Sequence, residues 1–133
     1  MYLLDSNVCI RILNGASPPL QRRLRSCSPT EVSLCSVVKA ELYFGARKSE
    51  RQAENLRLVG RFFSVFPSFD FDDRCAEVYG TIRGELERGG IPIGPNDLLI
   101  AATAIANELV LVTHNTREFE RVVGLRLEDW EIA

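Results

Sequence analysis

The sequence predicts an α/β domain built around a mostly parallel sheet. Three observations carry this. Short apolar runs occur at 2–4 (YLL), near 31–35 (EVSLCS) and at 109–113 (LVLVT), each with the length of a buried strand. Stretches of helical periodicity separate them, which is the pattern of strands joined by helices. A nearly continuous apolar segment, LLIAATAIA, calls for a helix buried on most sides. With 133 residues, 46% of them apolar and 26% charged, the chain fits one domain spanning residues 1–133.

The elements follow in order. YLL is a strand ending at Asp5. NVCIRILNG is a short helix with Val8, Cys9, Ile12 and Leu13 on one side and Gly15 as its stop. SPPLQRRLRSC opens a second, basic helix with proline in its first turn. After the strand EVSLCS, the segment VVKAELYFGARKS is a helix with Val38, Leu42 and Gly45 on one stripe. A basic helix is expected at about 51–63, and an extended stretch or third strand at 65–71. DDRCAEVYGTIRGELERG reads as a helix capped near Asp72, with Ala76, Tyr79, Ile82 and Leu86 at helical spacing and a Gly-Gly stop. A loop, IPIGPN, leads into the apolar helix, then LVLVT, a short turn at TREFERV, and a last strand at LRLEDW. Trp130 and the phenylalanines are expected to pack the core, leaving no exposed stacking platform.

Composition excludes several classes. No apolar run is long enough to span a bilayer, and the N-terminus lacks a basic signal-peptide region, so a cytoplasmic protein is expected. Four cysteines stand without zinc-ligand spacing beside a single His, His114, so reduced thiols are expected rather than a zinc site. Walker and GxGxxG loops are absent. The net charge is −2, but it is unevenly spread. Residues 1–61 carry 10 Lys and Arg against 5 Asp and Glu; residues 62–133 carry 6 against 13. Fourteen of the 16 cations are Arg, whose planar fork suits phosphate.

Sites in parallel α/β sheets lie at the carboxyl ends of strands. Asp5 ends the first strand, Asp97 opens the apolar helix, and Thr113, His114 and Asn115 end LVLVT. Glu41 joins them if its helix packs over the same edge. Asp5 and Asp97 could each merely cap a helix, but Glu41 has no such role and sits among apolar neighbours. Carboxylates gathered in a low-dielectric pocket need a cation, and hard divalent ions take oxygen ligands. Mg²⁺ or Mn²⁺ held by Asp5, Glu41 and Asp97 could lower the pKa of water and stabilise charge on a phosphate, the chemistry of phosphodiester hydrolysis. Ser6 and Asn7 would orient Asp5 or touch substrate phosphate, with Thr113 and Asn115 on the rim. His114 is expected to face solvent beside the pocket.

The segments LLDSNV, KAELYFGA, GPNDLLIAATA and LVTHNTREFERVVGLRLEDW resemble, in order and spacing, the PIN-domain ribonucleases, and in particular the VapC toxins of bacterial toxin–antitoxin pairs. The resemblance covers nearly the whole chain. It implies a five-stranded sheet with an acidic pocket at one edge, and metal-binding or catalytic roles for Asp5, Glu41 and Asp97. It implies a fourth acid near position 115, where this chain has Asn115, and hence one firmly held ion with a weaker second. It further implies in-line RNA hydrolysis, with tRNA as substrate and the anticodon stem-loop as the target. The partners it implies are a second copy of the chain and a VapB-type antitoxin, with promoter DNA bound only through the antitoxin.

Three other readings compete. A phosphoacceptor receiver domain would want an acidic pair after the first strand and an acid ending a central one. A structure-selective DNA nuclease would usually be longer, with more acids. A catalytically weak PIN scaffold that only binds RNA or protein is kept in view by Asn115.

Overall fold

The computed structural model describes residues 1–132. The chain runs β1 (Tyr2–Leu4), α1 (Ser6–Asn14), α2 (Pro18–Arg25), a 3₁₀ turn (Pro29–Glu31), β2 (Val32–Cys35), α3 (Ser36–Arg47), α4 (Gln52–Val65), β3 (Ser68–Phe69), α5 (Asp73–Arg88), α6 (Pro95–Ala106), β4 (Val110–Val112), α7 (Thr116–Phe119) and β5 (Arg126–Glu128). The five strands form one sheet in the order β3-β2-β1-β4-β5, and every pairing is parallel. The predicted α/β class therefore holds, with no antiparallel edge.

The strand order reverses beside β1, which pairs with β2 on one side and β4 on the other. A reversal of this kind opens a crevice beyond the carboxyl ends of the two central strands. Asp5 follows β1 there, its N–H donating to the Val112 carbonyl at 3.1 Å. Thr113 follows β4, its N–H donating to the Glu128 carbonyl at 3.0 Å. Topology alone thus brings these two residues to one edge.

The core lies on both faces of the sheet. Leu3, Leu4, Val32, Leu34, Leu111 and Val112 are buried in the strands. Helix α6 buries seven of its twelve residues, four of them alanine, as its apolar sequence predicts. At that degree of burial the helix is held firmly, which fixes the position of its first turn.

Local chemistry sets the helix boundaries. Gly15 takes φ +63° to end α1, a left-handed conformation that glycine adopts without steric cost. Asp72 accepts the Cys75 N–H at the start of α5. On α5 the buried stripe is Cys75, Ile82 and Leu86, with Tyr79 half-buried, whereas Ala76 is exposed. The stripe therefore begins one residue earlier than its sequence spacing suggested. Likewise Ala46, not Gly45, completes the buried face of α3. Strand β3 has only two residues of the predicted 65–71 stretch.

Trp130 is buried, edge-on to Tyr2. Phe63 and Phe119 are buried too, but Phe44 is 65% exposed, which corrects the expectation that every phenylalanine packs inward. All four cysteines are free. Burial pushes the Cys35 thiol up to about 11 and Cys9 well above its ordinary range, so both stay protonated. Among the described residues no helix is long and apolar enough to cross a membrane.

Candidate active site

Asp5 combines two duties. One oxygen, Oδ1, accepts the Val8 N–H at 2.8 Å and caps α1. The Thr113 side chain beside it also favours the charged form. Asp5 is only 5% exposed, and burial raises its pKa against the lowering effect of these donors. The charges of Glu131 and Glu41 raise it further.

Glu41 lies in the second turn of α3 and is half-buried. Ser6 Oγ donates to its Oε1 at 2.5 Å, tying α3 to the first residue of α1. The Ser6 hydroxyl thus orients Glu41, where the sequence had suggested Asp5. Asn7 is exposed and lines the adjoining cavity.

Asp97 sits in the first turn of α6. The N-cap of that helix is Gly94, with Pro95 at the first position, and Asp97 makes no capping bond. The capping explanation for this acid is thereby removed. Its nearest charged neighbour is one the sequence reading missed: Glu118, on α7. The Gly94 N–H donates to Glu118 Oε1 at 3.0 Å, and Asn115 Nδ2 donates to Oε2 at 2.6 Å. A methyl group on Gly94 would stand 3.6 Å from Asp97 Oδ2 and 3.9 Å from Glu118 Oε1, so the two carboxylates meet over this glycine.

The two carboxyls shift in opposite directions. Burial first, then Glu118, then the charges of Asp5 and Glu41 push Asp97 up to about 7. Burial also opposes charge on Glu118, but Gly94, Asp97 and Asn115 outweigh it and hold this carboxyl below its ordinary range. Asp97 is therefore the acid of the pair that is pushed up, because Glu118 has donors of its own.

Asn115 is the residue that fixes Glu118, and its own N–H donates to Thr113 Oγ1 at 3.0 Å. The fourth carboxylate of the pocket comes from position 118, three residues beyond the position where the resemblance led us to look. His114 is exposed, with Nδ1 2.9 Å from Asp129 Oδ2.

Asp5, Glu41, Asp97 and Glu118 thus come from four separate segments to one sheet edge. Salt bridges pair several other acids of the chain, yet among the described residues none involves these four. Nor, among the described residues, do three His, Cys, Asp or Glu side chains close on one point as ligands do around an ion. All the donors here are oxygens, the set that hard divalent cations prefer.

Beside Glu41 runs an apolar groove of about 280 Å³, lined by Ile10, Leu13, Leu42, Ala46, Leu58 and Val59. Tyr43, Phe44 and Val65 are exposed on α3 and α4, which border it.

The chain resembles proteins of known class along its whole length. It is 40% identical to the tRNA(fMet)-specific endonuclease VapC of Shigella flexneri over 97% of each chain. It is 38% identical to ribonuclease VapC2 of Rickettsia felis over 98% of each. The crystal structure of VapBC2 from Rickettsia felis, bound to a DNA fragment from their promoter, superposes with a TM-score of 0.91 at 38% identity, covering 97% of this chain and 98% of that one. Residues 2–125 match the PIN domain family, and the chain belongs to it.

Proposed function

We propose that this chain is a Mg²⁺- or Mn²⁺-dependent endoribonuclease, acting on tRNA in the cytoplasm and restrained by a VapB-type antitoxin. One observation carries the reading. Four carboxylates that make no salt bridge among the described residues come to one sheet edge, and burial first, then the neighbouring Glu118, push the carboxyl of Asp97 up to about 7. Like charges repel, and a divalent cation between them would offset that repulsion. The names of the Shigella and Rickettsia relatives point to RNA and to tRNA.

A divalent ion in this pocket would supply positive charge against the scissile phosphate and lower the pKa of water at neutral pH. The protein's own groups do the rest. Asp5 and Asp97 would hold the ion, and Glu41 would hold it or orient water. Glu118 would complete the set. The Val8 N–H and the Ser6 hydroxyl fix Asp5 and Glu41 by hydrogen bonds, and Asn115 does the same for Glu118. The Arg-rich first half lies against the RNA backbone, so affinity falls as salt rises.

The groove beside Glu41 suits an antitoxin tail, with exposed Phe44 at its border and the acidic pocket at its end. An arginine from that tail would pair with the pocket carboxylates as a cation does. Promoter DNA would be held through the antitoxin, in keeping with the DNA-bound VapBC2 complex. A homodimer belongs to the same reading, on the family resemblance alone.

The test is incubation with total tRNA in Mg²⁺, Mn²⁺ or chelator, alongside Asp5→Asn and Asp97→Asn. Metal-dependent cutting that both variants lose supports the enzyme. Tight RNA binding without cutting in the wild type would favour a binding module, and cutting retained by both variants would indicate a contaminant.

A further inference from the structure

We propose that Arg11, anchored by Glu131, grips a backbone phosphate of the RNA beside the acidic centre; this rests on the ribonuclease reading above. A cavity of about 560 Å³ adjoins the carboxylates, and Asp5, Asn7, Arg11, His114, Asn115 and Glu131 line it. Arg11 is the permanent cation on that wall. His114 on the same wall is engaged with Asp129.

An acidic pocket repels the polyanion it must admit. A cation between the carboxylates addresses the scissile phosphate, but the neighbouring phosphates meet the remaining negative charge of Asp5 and Glu131. A guanidinium at the cavity wall offsets this at the point where the chain must enter.

Arg11 is built to stay at that wall. Its Nε bonds Glu131 Oε1. The Glu131 side chain is only 6% exposed, while that of Arg11 is 44% exposed. A buried carboxylate left without its cation is costly, so the guanidinium cannot swing out to solvent. Glu131 Oε2 has no partner, although it is buried. One oxygen is thus spent on Arg11 Nε and the other holds no second donor. The four N–H groups on Nη1 and Nη2 make no hydrogen bond among the described residues. They form the fork that binds phosphate oxygens in pairs, and its position is fixed before substrate arrives.

The bland alternative is a strap that joins α1 to the C-terminal segment and does nothing else. The two are separated by steady-state cleavage of a labelled tRNA anticodon stem-loop in excess Mg²⁺ over a KCl series. We expect Arg11→Gln to raise KM about tenfold with kcat within about twofold, and to flatten the plot of log kcat/KM against log salt by about 0.7, the slope of one single-strand phosphate contact. Arg11→Lys should recover part of the KM. Glu131→Gln should raise KM several-fold alone and add nothing in the Arg11→Gln background, since it acts through Arg11. Arg126→Gln, at the amino end of β5, should change neither quantity.

An unchanged KM and salt slope in Arg11→Gln, in protein whose thermal melt confirms folding, would overturn the proposal. So would equal losses of stability in the two single variants with KM and the salt slope unchanged, which a strap would give. Failure of the ribonuclease reading looks different: the wild type would not cut RNA at all, and the inference would fall with it.

Discussion

The two walls of the acidic pocket are built on opposite principles. On the β1–α1 wall Asp5 and Glu41 each have a donor, Val8 N–H for Asp5 and the Ser6 hydroxyl for Glu41. On the α6–α7 wall, Asp97 meets another carboxylate, and the donors there go to Glu118. The first wall is complete as folded protein. The second carries an electrostatic conflict that a cation would relieve. The difference teaches where ion binding and folding stability are coupled: at Asp97 rather than at Asp5.

Removing either anchor should produce the largest effect and make the walls look alike. Asp5→Asn and Asp97→Asn are each predicted to lower the rate of RNA cleavage by about 10² or more, measured as kcat/KM with saturating Mg²⁺. Without metal the walls should separate. At pH 8, Asp97→Asn removes a charge from the conflict and gives Glu118 an amide donor, so the metal-free protein should gain about 1 kcal/mol, or roughly 3 °C in Tm. Asp5→Asn keeps the cap to Val8 N–H and should gain less. Equal gains in calorimetry would contradict the contrast between the walls.

The pH dependence sharpens the same comparison. Asp97 titrates near 3.8 when unfolded and at about 7 when folded. Between these values the folded chain binds more protons, so stability falls as pH rises from about 4 to about 7. Below that window the contribution is fully present, and above it the contribution is gone. Thermal melts across this range should show the decline in wild type, little of it in Asp97→Asn, and its reversal by Mg²⁺. The smallest effect is expected at Ser6→Ala. Freeing Glu41 from its hydroxyl should cost about three- to tenfold in kcat and under about 0.5 kcal/mol in stability, because the lost bond lies at a half-exposed position.

The sequence made three of the four acids legible, for a physical reason in each case. Asp5 follows a run that could only be a buried strand, and Asp97 precedes a helix too apolar to lie anywhere but the core. Glu41 stands out because its neighbours are apolar and no cap needs it. Glu118 was hidden because TREFERV sets its charges around two buried residues, Phe119 and Val122, and their spacing singles out none of its acids. Only the fold shows that α7 turns back to Gly94, 24 residues earlier. The available signal was the three-residue step from Asn115 to Glu118 in a helical turn, which places the two side chains together. Phe44 misled for the converse reason. Helical periodicity reports which residues share a face and not what covers that face. Here α3 packs Val38, Leu42 and Ala46 inward and leaves Phe44 on its outer side, lining a separate open cavity with Val37 and Leu99.

The central claim is that distant carboxylates act as one cation site. Titration of the metal-free protein with Mn²⁺ at pH 8, followed by the loss of the free-ion EPR signal, tests it most directly. The account predicts one firmly bound ion per wild-type chain, with affinity reduced at least about tenfold in each of Asp5→Asn, Asp97→Asn and Glu118→Gln. Equal affinity in wild type and all three variants, or no binding in the wild type, would contradict it.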